Sequence, residues 1–266
     1  MRLRVAAALV WAATLPVQPA AAQSIAIPFA PPVGRTLVYQ IDQHRPVAGT
    51  VRRFSATRDL RFERTSDGYS LLATLRAIDS DAPPQGAEPY RAALTPLIGV
   101  DLRFTVDRRG RIVGLDDMDG VWRAVQAGIA EMLAQFAPDT PRHKATTKVQ
   151  ALLDSLSPEG RLALLAGEYQ PLFLFAGSQV EGGAGRGLRT VAGSPLGRPV
   201  PVEGTLRVTG QPDDALDLEE NLTGEGVQVA ITYRLSRSSG LVEAQTRNLA
   251  VGTLALTESR TLLSRE

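Results

Sequence analysis

The chain has no cysteine, two histidines, and only two lysines, Lys144 and Lys148, among its 29 basic residues. Without cysteine there can be no disulfide, no thiolate metal ligand and no thiol nucleophile. A lipid anchor on a cysteine is excluded as well. His44 and His143 leave few choices for a general base, and histidine metal-site spacing is absent. The excess of arginine over lysine, beside so much alanine and glycine, reads as codon bias rather than recognition chemistry. Charge of one sign is also missing. Beyond residue 22 the formal charge is −1, with 27 basic and 28 acidic side chains. A nucleic-acid partner would call for a basic stripe, so none is expected.

The first residues have the three-part layout of a secretory signal. Arg2 and Arg4 precede an apolar stretch from Val5 to Leu15, and Ala20-Ala21-Ala22 supplies small residues for cleavage before Gln23. The apolar stretch is too short to span a membrane. Residues 1–22 are therefore expected to be a signal peptide directing the protein to the periplasm, with no membrane-spanning segment. The remaining residues, 23–266, suffice for one large core.

After a proline-rich lead-in, strand patterns occur at Thr36–Asp42, Val51–Ser55, Leu60–Arg64, Tyr69–Ile78, Val100–Val106 and Arg111–Leu115. Between them "DSDAPPQGAEP" reads as a loop. Three turns, ending at Gly68, Gly110 and Gly240, place glycine fourth, where a type I turn passes into a left-handed residue. Two of them lie in the similar stretches "LRFTVDRRGRIV" and "ITYRLSRSSGLV", which read as ordinary hairpins rather than a repeat. The cleanest strand pattern is Val227–Leu235, where apolar residues alternate with small or polar ones.

Helical periodicity fills the centre. Trp122, Val125, Ile129, Met132 and Phe136 recur at three- and four-residue steps behind Asp119, a candidate N-cap. Thr140-Pro141 and Ser157-Pro158 mark two further helix starts. The order strands (36–115), helices (119–176), strands (198–264) predicts an α+β fold of one domain. Its core would be a curved antiparallel sheet, half-barrel-like, with the central helices covering its concave apolar face.

Chemical motifs are weak. In "LDDMDG" Asp117 and Asp119 match two positions of a calcium loop, but Leu115 and Gln126 fall where carboxylates are required. "GGAGRG", Gly182–Gly187, is read as following a helical region and precedes no helical period, so a hinge is expected rather than a phosphate loop. No Gly-x-Ser-x-Gly is present; His44 reads as a turn residue, and His143 lies between two cations. Asp217 and Glu219 alternate with leucines and read as a solvated strand face. "PRHKATTK" is a cationic helix start that reads as a solvated face. Asn221-Leu222-Thr223 matches a glycosylation acceptor by pattern only. No catalytic, metal or cofactor residue is assigned, and no cofactor is expected.

The element order resembles the LolA/LolB-like periplasmic half-barrel carriers, in which helices close a curved antiparallel sheet over an apolar cavity accepting acyl chains. The chain is also similar to exported proteins of Gram-negative bacteria. It departs from those carriers where "APPVG" leads into a strand instead of a helix, and no functional residue transfers. The resemblance implies a non-enzymatic carrier of a lipid or lipoprotein acyl chain. From their own positions in the pattern, Trp122, Phe173, Phe175, Val229 and Tyr233 are expected to line the space under the helices, whether it is hollow or filled. The alternative is an envelope protein with a filled core that works through a protein partner. A hydrolase without a recognisable motif has the least support.

Overall fold

A computed structural model describes residues 24–183, 185–192 and 200–265. The expected signal peptide, 1–22, lies outside the described residues. Strands β1 (Ser24–Ala26), β2 (Thr36–Val47), β3 (Thr50–Arg64) and β4 (Gly68–Ser80) open the chain. Helix α1 (Pro84–Leu94) precedes β5 (Asp101–Asp107) and β6 (Ile112–Leu115). Three helices follow: α2 (Met118–Ala134), α3 (Pro141–Asp154) and α4 (Pro158–Ala166). The rest is strand: β7 (Gln179–Glu181), β8 (Arg186–Ala192), β9 (Val200–Gly210), β10 (Ala215–Gly224), β11 (Val227–Ser236), β12 (Val242–Val251) and β13 (Leu254–Ser264).

Eleven strands form one open, curved antiparallel sheet in the order β6-β5-β4-β3-β2-β13-β12-β11-β10-β9-β8. It consists of two meanders joined where β2 pairs with β13, from Leu37↔Ser264 to His44↔Thr257. Strands β1 and β7 make a separate two-stranded ribbon. Irregularities in register at Thr57/Arg58, Asp217/Leu218 and Arg234/Leu235 bend the strands, as bulges do.

The period-two expectation for β11 holds from Val227 to Leu235 and ends at Ser236, which is buried. Val227, Val229, Ile231, Tyr233 and Leu235 are buried, while Gln228, Ala230, Thr232 and Arg234 are exposed. Two of the three hairpin glycines behave as expected, Gly110 and Gly240 with φ of 79° and 74°, whereas Gly68, at φ 156°, is not in the left-handed helical conformation. At Gly240 a side chain is also excluded by the carbonyl oxygen of Pro28, which packs against the turn.

Five local readings are corrected. "DSDAPPQGAEP" is not all loop, because Pro84 occupies the first turn of α1, where proline is tolerated, and Ala87 and Ala92 are buried. Val51–Ser55 and Leu60–Arg64 are one strand, β3, with Ala56 and Arg58 continuing the inward alternation. The N-cap of α2 is Asp117, not Asp119: its backbone is left-handed and its carboxylate accepts from the Gly120 amide at 3.1 Å. His44 lies within β2, not in a turn. The glycine run follows strand β7, not a helix, and its last two residues already belong to β8. The caps at Thr140 and Ser157 form as expected, each accepting a backbone amide at 3.2 Å.

Two apolar cores lie on one face of the sheet. The first joins Leu60, Phe62, Leu71 and Phe104 of the first meander to Trp122, Ile129, Leu153 and Leu165 of the helices, with Tyr169, Leu172 and Phe173 beyond α4. The second joins Leu206, Leu218, Val229 and Tyr233 of the other meander to Ile27, Phe175 and Val180. The stretch from Ser157 to Gly177 therefore serves both cores. Phe173 points into the first and Phe175, two residues later, into the second.

Candidate functional site

Between the cores, the inward face carries charge where the alternation would place aliphatic residues. Strand β3 presents Phe54, Ala56, Arg58, Leu60 and Phe62, and β13 presents Glu258, Arg260 and Leu262. These groups meet Glu168, just after α4. Arg58 Nη2 lies 3.1 Å from Glu168 Oε1, with the Arg58 side chain only 5% exposed. Arg260 Nη1 donates to the Glu168 carbonyl at 2.7 Å and to Tyr39 Oη at 2.9 Å. Arg260 Nε donates to Glu258 Oε1 at 2.7 Å, and Gln43 Nε2 donates to Glu258 Oε2 at 2.8 Å. The chain after α4 is thus fastened to the sheet by charge-assisted hydrogen bonds.

The titration behaviour follows from this packing. Burial pushes the Tyr169 phenol up to about 12, opposed by the nearby Arg58. Burial works against the Arg260 charge, but Tyr39 and Glu258 more than offset it and raise its pKa. Burial also opposes ionisation of Glu258, yet Arg260 and Gln43 prevail and hold its carboxyl below the ordinary glutamate range. A depressed folded-state pKa means that the unfolded chain binds the proton first as pH falls. The Glu258 contribution is therefore complete above the unfolded value of about 4.3 and disappears as pH drops through the lower folded value. Glu258→Gln should flatten the acid limb of stability below about pH 5, read from urea midpoints between pH 3 and 7. Equal acid slopes for the two proteins would refute this linkage.

The polar row continues across the sheet. Gln43, Glu258 and Arg247 are successive cross-strand neighbours, and Ile231 separates Arg247 from Glu220. Glu220 occupies an inward position between Leu218 and Leu222, and Tyr233 Oη donates to its Oε2 at 3.0 Å. Burial first, and Glu220 second, push the Tyr233 phenol far above its usual range. The Tyr233 ring meets Phe175 edge-on, with centroids 5.2 Å apart.

A half-enclosed cavity of about 550 Å³ opens beside Glu220, between the β1–β7 ribbon and strands β8–β10. Leu174, Phe175, Val180, Leu188 and Leu206 form its apolar wall. Ser24, Gln179, Glu181, Arg186 and Glu220 supply polar groups. The ribbon holds one wall in place through antiparallel pairing and a hydrogen bond from Ser24 Oγ to Gln179 Oε1 at 3.0 Å. Its volume falls within the range of small-ligand pockets.

The five residues expected to line one space are divided. Trp122 and Phe173 are packed in the first core, where Phe173 meets Phe29 and Phe62 edge-on. Phe175, Val229 and Tyr233 belong to the second core, and Phe175 also lines the cavity. Glu220 and Leu206 were missed. The signal for Glu220 is its phase, a carboxylate in the apolar register of Leu216, Leu218 and Leu222.

Among the described residues no group of three or more His, Cys, Asp or Glu could hold a metal ion. Asp217 and Glu219 face outward, Glu219 paired with Arg207 and Asp217 with Arg234. His44 has Arg53 and Thr257 as cross-strand neighbours, while His143 lies in the first turn of α3. No described helix is long and apolar enough to cross a membrane. Comparison of the chain with protein-family models and with curated proteins produced no match to either.

Proposed function

We propose that the protein is a non-enzymatic periplasmic binding or carrier protein for an apolar ligand, a lipid or a lipoprotein acyl chain. In this reading residues 1–22 are removed on export. The sheet acts as a half-barrel, with the helices covering one end of its concave face and the β1–β7 ribbon the other. The observation that carries the proposal is the 550 Å³ cavity walled by Phe175, Val180 and Leu206. An apolar wall with a few polar groups at one side is how proteins bind and orient apolar molecules. The space beneath the helices is occupied by Trp122, Phe173 and their neighbours, so the ligand site is assigned to the ribbon end.

The filled first core favours a second reading, an envelope protein that works through a protein partner. Titration with the uncharged fluorophore N-phenyl-1-naphthylamine separates the two. Saturable binding in the micromolar range, of the order expected for modest apolar burial, supports the carrier. Leu188→Trp, which fills the cavity from its half-buried edge, should weaken that binding at least about tenfold, equivalent to one pocket-filling contact of roughly 1.4 kcal/mol. The protein-partner reading requires no probe binding by the wild type.

A further inference from the structure

The cavity contains two opposite charges that do not meet. Arg186, Leu206 and Glu220 are consecutive cross-strand neighbours on β8, β9 and β10, and all three line the cavity. Adjacent strands lie about 4.8 Å apart, so the Arg186 and Glu220 backbones are separated by roughly 10 Å, with one leucine between them. Among the described residues neither side chain has an oppositely charged partner; Glu220 receives only the Tyr233 hydroxyl. On the same three strands two other opposite charges do meet, Arg207 with Glu219 and Arg189 with Glu203. Tyr233 holds the Glu220 carboxylate at the cavity wall, while Arg186, also part of the lining, is exposed. Glu181, also exposed, adds a second acid on the ribbon side.

The geometry points to an amphiphile with a zwitterionic head as the ligand of this cavity. Its cationic group meets Glu220, its anionic group meets Arg186, and its apolar chain lies along Phe175, Val180 and Leu206. A singly charged head would satisfy one of these two groups and leave the other without a counterion. A zwitterion satisfies both, and the two charge-assisted contacts fix its orientation. This inference rests on the carrier reading above.

The test uses the full mature chain with bound N-phenyl-1-naphthylamine. Its displacement is measured with dodecylphosphocholine, dodecyl phosphate and dodecyltrimethylammonium, all below their micelle concentrations, and with phosphocholine lacking a chain. Dodecylphosphocholine should displace the probe at about a tenfold lower concentration than either amphiphile whose head carries charge of one sign, the size expected for one added contact to a charged group. Glu220→Gln should weaken dodecylphosphocholine and dodecyltrimethylammonium but not dodecyl phosphate. Arg186→Gln should weaken dodecylphosphocholine and dodecyl phosphate but not the cation. Equal displacement by the three amphiphiles, or tightest displacement by one whose head carries charge of one sign, overturns the zwitterion assignment and leaves the cavity intact. Equally tight binding of chainless phosphocholine overturns the amphiphile in favour of a soluble zwitterion. Failure of the probe to bind the wild type removes the cavity reading and this inference with it.

Discussion

Phe62→Ala should lower the stability of the folded chain by about 3 to 5 kcal/mol, the range for truncating a fully buried phenylalanine. Phe62 is fully buried on β3, and its ring meets Phe173 edge-on at 6.1 Å. It lies where the sheet, the stretch after α4 and the rest of the first core converge, so its removal leaves a cavity that few neighbours can fill. The lost burial and the unfilled volume act in the same direction. Val51 is a fair control because it is an aliphatic residue on the same strand that stays 62% exposed. Val51→Ala should stay within about 0.5 kcal/mol of wild type. Urea unfolding of the three proteins measures both effects. A Phe62→Ala cost below 1 kcal/mol would mean that the helices do not close tightly on β3.

Glu168→Gln should be nearly as damaging, for an electrostatic reason. Glu168 keeps 39% of its side chain exposed, so the loss of its own charge costs little. The cost falls on Arg58, whose guanidinium is buried and whose Nη1 already lacks a partner. Leaving that cation without a counterion costs about 3 kcal/mol. Replacing both residues by apolar ones, Arg58→Met with Glu168→Leu, should recover most of the loss, because a buried pair exchanged for packed side chains is often neutral. A double mutant as unstable as the sum of its single mutants would show that the pair is not coupled.

How much of this could be read beforehand depended on whether the signal was local. The alternation of Val227 to Leu235 placed a strand and its buried face, and Gly110 and Gly240 placed two hairpins, because a strand period and a left-handed turn are properties of neighbouring residues. Helix α1 was obscured because Pro83, Pro84 and Gly86 read as breakers, although proline suits a first turn and Gly86 packs against the Val47 side chain. The β1–β7 ribbon has three residues a side, too short to show any period, yet it supplies a wall of the cavity. Nor could sequence place Phe173 and Phe175 in different cores, because that depends on what faces them from strands more than 50 residues away. The charges at Arg58, Glu220 and Arg260 were visible in principle, since each breaks an apolar alternation on its strand. What they bind across the sheet was not, because Glu168 is brought to Arg58 and Arg260 only by the fold.

The pairing of β2 with β13 also governs when the molecule can finish folding. The bond between Gln43 and Glu258 spans 215 positions of sequence. Pairings of such long range are slow to form, because the intervening chain must be brought back before they yield any stabilisation. Before residues 254–264 are available, the first meander can assemble only as far as an unpaired β2 edge. It gains its missing neighbour only when residues 254–264 emerge. In a chain arranged in this way the final eleven-residue strand is the piece that joins the two halves into one continuous sheet.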